Sequence, residues 1–132
     1  MKKRKHVNIS REALQLAIAA MKDAAANSDW NFTNKLRLLE AEQKSMTKNH
    51  GRAIDLYDAS IESAKRSGFV HEQGLACEKA GFYYKRADAI YNALHYFKQA
   101  RECYEEWGSS TKVNLIQKEI DVLMVSAPKM QD

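Results

Sequence analysis

The sequence predicts an all-helical protein, and three observations predict it. Of the 132 residues only one is Pro and five are Gly, while the helix formers Ala, Leu, Glu and Lys are abundant. The sequence contains no alternating β-branched runs and none of the Asn-Gly or Asp-Gly turns of β-hairpins. Apolar residues instead recur at three- and four-residue spacings. The length suits one domain, which would bury about two-thirds of its unfolded surface.

The first half of the chain is expected to hold a tail and three helices. Residues 1–8 form a short charged tail, which we expect to be disordered. A first helix, capped by Ser10, should end at Asn27-Ser28-Asp29, and a second should span about 32–46. After a turn at 47–51, a third helix should end at Gly68. The inward stripe of the first helix is predicted to be Ala13, Leu16, Ala17, Ala20, Met21 and Ala24.

The second half of the chain predicts three further helical segments, which makes about six helices in total. We expect helices at about 70–86 and 88–107, with the Asp88 carboxylate capping the second of them. Gly108 should end that helix, and Ser109, Ser110 or Thr111 should cap the next. The last helix, at about 111–125, is predicted to cover the final exposed face and to turn Val113, Ile116, Ile120 and Leu123 inward. The helical domain would then span 9–125, followed by a tail at 126–132.

Small and aromatic residues follow a regular pattern around residues 77–100. Cys77-x-x-Ala80-Gly81-x-x-Tyr84 precedes Ala93-x-x-x-Phe97-x-x-Ala100, and Ala53-x-x-x-Tyr57-x-x-Ser60 matches the latter forty residues earlier. This pattern resembles the tetratricopeptide repeat, in which two antiparallel helices pack closely at small residues, although the usual period is 34 residues. The resemblance implies antiparallel helical hairpins stacked as a short right-handed array. The residues expected to form the repeat packing are Ala53, Tyr57, Ser60, Cys77, Ala80, Gly81, Tyr84, Ala93, Phe97 and Ala100.

A longer resemblance covers residues 54–113. Four segments of this range are similar to a helical region of known signalling proteins. They are Leu56-Tyr57-Asp58, the segment from His71 to Ala76, Ala100-Arg101-x-Cys103-Tyr104 and Trp107-Gly108. That region follows the ATPase domain in large proteins of the predicted-ATPase and hybrid histidine kinase type. The resemblance implies a non-catalytic spacer and interaction platform that contacts a protein, a peptide or neighbouring domains of a larger chain.

The repeat register also implies a partner groove, lined by the first helix of each hairpin. The alternative is that this face is plain solvent-exposed helix, or that it packs against a neighbour that is missing from this sequence. Gly81 should face Ala93 at the closest approach of two helices, whereas Phe82 is rotated by about 100° and should anchor a partner without supporting the fold. The groove residues implied are Lys35, Leu38, Glu42, Ser45, Leu75, Glu78, Phe82, Lys85 and Arg86.

The formal charge of +4 resides in the N-terminal tail. Lys2, Lys3, Arg4 and Lys5 account for it, and the other Lys and Arg residues balance the 17 Asp and Glu residues. A nucleic-acid-binding domain carries its basic residues on a folded face. Nucleic-acid binding by the body is therefore disfavoured, while a tail that contacts nucleic acid or an anionic surface remains the alternative function.

The motifs of common enzymes are absent from the sequence. It contains no phosphate-binding loop, no His-Glu-x-x-His, no Gly-x-Ser-x-Gly and no kinase catalytic loop. Cys77 and Cys103 lack metal-ligand spacing and are expected to be reduced core residues. We therefore predict no catalytic residue, no cofactor and no metal. No apolar run reaches membrane-spanning length, and a cytoplasmic location is expected.

Overall fold

The computed structural model describes residues 11–46 and 50–127, and for residue 21 and residues 23–35 it describes the backbone alone. These residues form helices α1 (Arg11–Ser45), α2 (His50–Arg66), α3 (Val70–Arg86), α4 (Ile90–Trp107) and α5 (Ser110–Ser126). No strand occurs among them, so the predicted all-helical class is confirmed. The chain divides into two compact units, Met1–Ser60 and Ile61–Asp132.

The contacts within α1 agree with the predicted helix boundary at Asn27-Ser28-Asp29. The Arg11 guanidinium donates to the Met46 carbonyl at 3.4 Å, and the Lys22 ammonium lies 3.9 Å from the Glu40 carboxylate. A straight helix of 35 residues would hold its two ends about 50 Å apart. The chain therefore reverses direction between residues 22 and 40, within the range given for α1.

The core of the first unit differs from the predicted stripe. Leu14 and Ile18 are buried, whereas Ala13 is exposed and 71% of Leu16 is accessible. The side chains of Met21 and Ala24, like Ser10 and the turn residues 47–49, lie outside the described part. The prediction placed the stripe one to two positions away from the face that the helix buries. Further buried residues of this unit are Ala41, Ala53, Leu56, Tyr57 and Ser60.

The second unit repeats one turn geometry every twenty residues. Gly68, Asp88 and Gly108 each have positive φ, at 75°, 62° and 93°, and each follows the end of a helix. In all three the next amide donates to a carbonyl five residues back, as in Phe69 N to Ala64 O at 2.9 Å. This left-handed ending is the usual helix stop, and Gly or Asp accommodates it. Each helix with its turn therefore takes twenty residues, which accounts for the forty-residue offset of the pattern.

Asp88 ends α3 instead of capping α4, which corrects its predicted role. The residue before α4 is Ala89, and its side chain makes no capping hydrogen bond. Ser109 does cap α5, since its hydroxyl oxygen accepts a hydrogen bond from the Lys112 amide at 3.2 Å.

The antiparallel hairpin of α3 and α4 packs aromatic rings against glycines. A Cβ placed on Gly81 would lie 2.7 Å from two ring carbons of Phe97, and one on Gly74 would lie 2.9 Å from the Tyr104 ring. Both pairs, like the stacked rings of His71 and Trp107 at 4.5 Å, follow the same antiparallel register. The nearest partner of Gly81 is thus Phe97, whereas the sequence pattern suggested Ala93. The observed register of the hairpin differs from the predicted register by about one helical turn.

Helix α5 packs on α4 through the predicted side. Ile116, Ile120 and Leu123 are buried in one cluster with Phe97 and Tyr104, and Val113 packs against the same cluster. The prediction of these inward residues is confirmed.

Candidate functional site

The predicted groove face of α3 is contacted within the second unit by α4 and α5. Glu78 lies at the centre of these contacts, and its carboxylate accepts a hydrogen bond from the Tyr104 hydroxyl at 2.7 Å. The Lys112 ammonium of α5 lies 3.0 Å from the same carboxylate and 5.1 Å from the centre of the Tyr104 ring. One carboxylate on α3 thereby joins both of the following helices.

Because Tyr104 is buried, its hydrogen bond to Glu78 stabilises the packing of the helices. Its side chain is almost fully inaccessible, and burial together with the Glu78 hydrogen bond raises the pKa of the hydroxyl well above its usual value. The side chain of Glu78 is itself only 14% exposed. A hydrogen bond to a charged partner at a buried site contributes about 1.5–3 kcal/mol. Glu78 and Tyr104 therefore stabilise the three-helix arrangement, and the Glu78 carboxylate is already engaged.

Phe82 and Lys85 are also engaged within the chain. Phe82 is half-buried and meets the Phe97 ring edge to face, with centroids 5.0 Å apart. The Lys85 ammonium lies 2.7 Å from the Glu119 carboxylate of α5 and 5.8 Å from the Phe82 ring centre. The sequence predicted that Phe82 contributes little to stability. Because its ring packs on the core, we now expect Phe82 to stabilise the fold. Of the remaining residues implied on α3, Leu75 is half-buried and Arg86 is exposed.

The groove residues implied in the first unit are largely half-buried. Leu38, Glu42 and Ser45 are partly accessible, and the Glu42 carboxylate accepts a hydrogen bond from the Tyr57 hydroxyl. The Ser45 hydroxyl donates to the carbonyl of Glu42 at 2.7 Å. The side chain of Lys35 lies outside the described residues, as does the basic tail of Lys2, Lys3, Arg4 and Lys5.

The ten residues expected to form the repeat packing are inaccessible with one exception. Tyr84 is half-buried and stacks on Tyr96, with centroids 5.3 Å apart and rings inclined by 11°. The other nine are buried: Ala53, Tyr57, Ser60, Cys77, Ala80, Gly81, Ala93, Phe97 and Ala100.

Helix α5 exposes apolar side chains on the side that points away from its core contacts. Leu115 is 50% accessible, Val122 55% and Val125 87%, and the exposed Lys118 lies on the same side between the first two. We call these four residues the outer stripe. A capping helix carries a polar outer surface, which the outer stripe does not provide. The sequence signal was present, because apolar residues lie on both sides of α5, but only the inward set was assigned.

The two cysteines lie in the α3–α4 interior and are not joined by a disulfide. The single Cys77 S–H can be donated either to Gln99 Oε1, at 3.7 Å, or to the Cys103 sulfur, and the second of these hydrogen bonds lowers the pKa of the Cys103 thiol. Within the described ranges, no three His, Cys, Asp or Glu residues are grouped to hold a metal ion. The arrangement is that of small core residues with satisfied thiols.

A cavity of about 150 Å³ lies between the two ends of α1 in the first unit. Ligand pockets usually measure about 300–1,000 Å³, so this one is small for a nucleotide or a drug-sized molecule. Its lining residues are Arg11, Leu14, Gln15, Gln43, Lys44 and Met46.

The comparisons with known proteins identify no relative: no protein-family model matches the chain, and no curated protein or solved structure is significantly similar to it. Among the helices described, none combines the length and the apolar character needed to cross a membrane.

Proposed function

We propose that this chain is a non-catalytic protein–protein interaction scaffold, a fragment or relative of the helical repeat region of a multidomain signalling ATPase or kinase. The observation that carries the proposal is the outer stripe of α5, where three apolar side chains at least half accessible lie on one side of a packed helix. Exposed apolar residues that share one side of a helix mark an interaction site more often than scattered apolar residues do. The resemblance over residues 54–113 supports the signalling context.

The contacts between the supporting helices suit a binding surface. Glu78 holds α4 and α5 through Tyr104 and Lys112, so the outer stripe is presented on a helix that is fixed from behind. A preorganised surface binds with a smaller entropic cost than a mobile one. The proposed location is the cytoplasm, with which two buried cysteines that form no disulfide are compatible.

The scaffold proposal can be tested by selection from a library of displayed peptides against the immobilised full chain. We expect enriched peptides that bind the folded protein with micromolar or better affinity and that do not bind it in urea. Titration with magnesium ATP should give no heat of binding. Failure to enrich any peptide specific for the folded state would contradict the proposal, and so would micromolar binding of ATP.

The alternative function is contact with nucleic acid or an anionic surface through the basic tail. It is supported by the concentration of the whole net charge in Lys2, Lys3, Arg4 and Lys5. Such binding should weaken steeply with salt, since phosphate contacts release counterions. Deletion of residues 1–8 should abolish retention on DNA or anionic vesicles without changing thermal stability; retention by the truncated chain would contradict this alternative.

A further inference from the structure

The two cysteines lie beside each other where α3 and α4 pack closely. Gly74 leaves room for α4 at this point, because a Cβ on Gly74 would lie only 3.1 Å from the Cys103 Cβ. Cys77 follows Gly74 by about one turn of α3. Its sulfur lies 3.7 Å from the Oε1 atom of Gln99, about one turn before Cys103 on α4, and is within hydrogen-bonding distance of the Cys103 sulfur. Two thiols that packed helices hold side by side are the starting point that a disulfide requires.

The two thiols differ in accessibility. Cys77 is completely buried, whereas 6% of Cys103 is accessible. Access is one of the properties that decide which sulfur reacts. A small reagent that enters from solvent therefore meets the Cys103 sulfur first, and the Cys77 sulfur lies behind it.

The surroundings of Cys103 favour its thiolate. The hydrogen bond from Cys77 lowers the pKa of the Cys103 thiol, and the Lys65 ammonium of α2 acts in the same direction. Burial and the carboxylates of Glu106 and Glu102 act in the opposite direction, but the pKa remains below its usual value. The thiolate is the nucleophilic form of cysteine, so the more accessible of the two sulfurs is also the more readily ionised one.

We propose that Cys103 is an oxidation site for a small hydroperoxide, and that Cys77 converts the oxidised sulfur into a reversible disulfide between α3 and α4. This inference goes beyond the scaffold function and does not depend on it. In a reducing compartment, disulfides are usually transient and serve catalysis or redox sensing. The bond would fix α3 to α4 under oxidising conditions and release them when thiols are abundant.

The reaction consists of two balanced steps. In the first, the Cys103 thiolate attacks one oxygen of hydrogen peroxide; an S–O bond forms, the O–O bond breaks, and the leaving hydroxide takes up the proton that the thiol released. In the second, the Cys77 sulfur attacks the sulfenic acid of Cys103; the S–S bond forms, the S–O bond breaks, and the leaving hydroxide takes the Cys77 proton. Two thiols and one peroxide thus give one disulfide and two waters, and a small thiol in excess reverses the change.

The test is treatment of the reduced full chain with hydrogen peroxide under native conditions, followed by intact mass spectrometry and peptide mapping. We expect the mass to fall by two hydrogen atoms and the peptides that contain Cys77 and Cys103 to be linked. The product should run as a monomer on a non-reducing gel. Excess dithiothreitol should restore the original mass.

Two single-cysteine variants separate the roles of the sulfurs. In Cys77→Ala, oxidation should stop at the sulfenic acid of Cys103, which dimedone captures as a stable adduct. In Cys103→Ala, the remaining Cys77 should react at least about tenfold more slowly, because it is completely buried. The control is the same pair of variants in urea, where both sulfurs are exposed and should react at similar rates.

Four outcomes would overturn the inference. They are an unchanged mass at a peroxide concentration that oxidises the urea-unfolded chain, disulfides between chains in place of the internal one, sulfinic acid in the unchanged protein without the disulfide, and faster reaction of Cys77 than of Cys103 in the folded variants. The first three are measured on the unchanged protein, so they decide the matter even where a variant does not fold. The peptide selection described above tests the scaffold function separately.

Discussion

Replacing Gly81 by Ala should destabilise the protein, although Ala is the better helix former. The added Cβ would lie 2.7 Å from Phe97 Cδ1 and Cε1, far inside the 3.5–4.0 Å at which carbon atoms attract each other. The Phe97 ring is fully buried and has no solvent to move into. Overpacking of a filled core costs about 1–3 kcal/mol, while the change from Gly to Ala in a helix returns about 1 kcal/mol. The net loss should therefore be at most about 2 kcal/mol.

The matched control is Gly51→Ala in α2. Gly51 is exposed and a Cβ there would meet no atom within 4 Å, so the variant gains helix propensity without a clash. In urea denaturation followed by circular dichroism, the two variants should differ by about 1–3 kcal/mol, with Gly51→Ala the more stable.

A double-mutant cycle with Phe97→Leu identifies the cause of the loss. If the Phe97 ring is the obstacle, Gly81→Ala should cost less in the Phe97→Leu background, with a coupling of about 0.5–3 kcal/mol. Strict additivity of the two substitutions, or a Gly81→Ala variant as stable as Gly51→Ala, would refute the assigned register.

Three further predictions concern the second unit. Asp88→Gly should raise the free energy of unfolding by up to about 1 kcal/mol in urea denaturation, because φ at Asp88 is 62° and Gly adopts this conformation without strain; a loss of stability would contradict this. Tyr104 has a raised pKa in the folded chain, so stability should fall as the pH rises above about 10, where the unfolded tyrosine ionises. Urea midpoints between about pH 8 and 11 should fall less for Tyr104→Phe, and an unchanged slope would count against the assignment. Phe82→Glu should lower stability by about 2 kcal/mol in urea denaturation, since it removes the ring contact with Phe97 and places a charge against the core; an unchanged midpoint would restore Phe82 as a purely surface residue.

Local signals in the sequence predicted the helical class and the inward side of α5. Ile116, Ile120 and Leu123 are large apolar residues at helical spacing, and their burial decides which side of the helix faces the core. Gly108 also marked a helix end, because glycine adopts the left-handed backbone conformation at this position without strain. Asp88 takes the same conformation at a position where the sequence suggested a cap, since Asp is common in both roles.

Register and exposure could not be read from spacing alone. The pattern placed Gly81 against Ala93, but the pairing of two antiparallel helices depends on how large rings fit together, and the Phe97 ring occupies the space beside Gly81. In the same way, Glu78 and Phe82 were assigned to a groove because the position of α5 follows only from tertiary packing. The outer stripe of α5 was missed for the same reason: an apolar residue is recognised as exposed only when the core is known.

Chemical-shift mapping tests most directly whether a partner binds the outer side of α5. A peptide enriched by selection against the folded protein would be titrated into the ¹⁵N-labelled full chain, and the amide shifts of α5 and α3 would be followed. The account predicts that the largest changes lie between residues 111 and 125, with smaller changes between residues 75 and 86 of α3. Largest changes on α3, with α5 unaffected, would contradict the account and return the partner site to the face first implied by the repeat pattern.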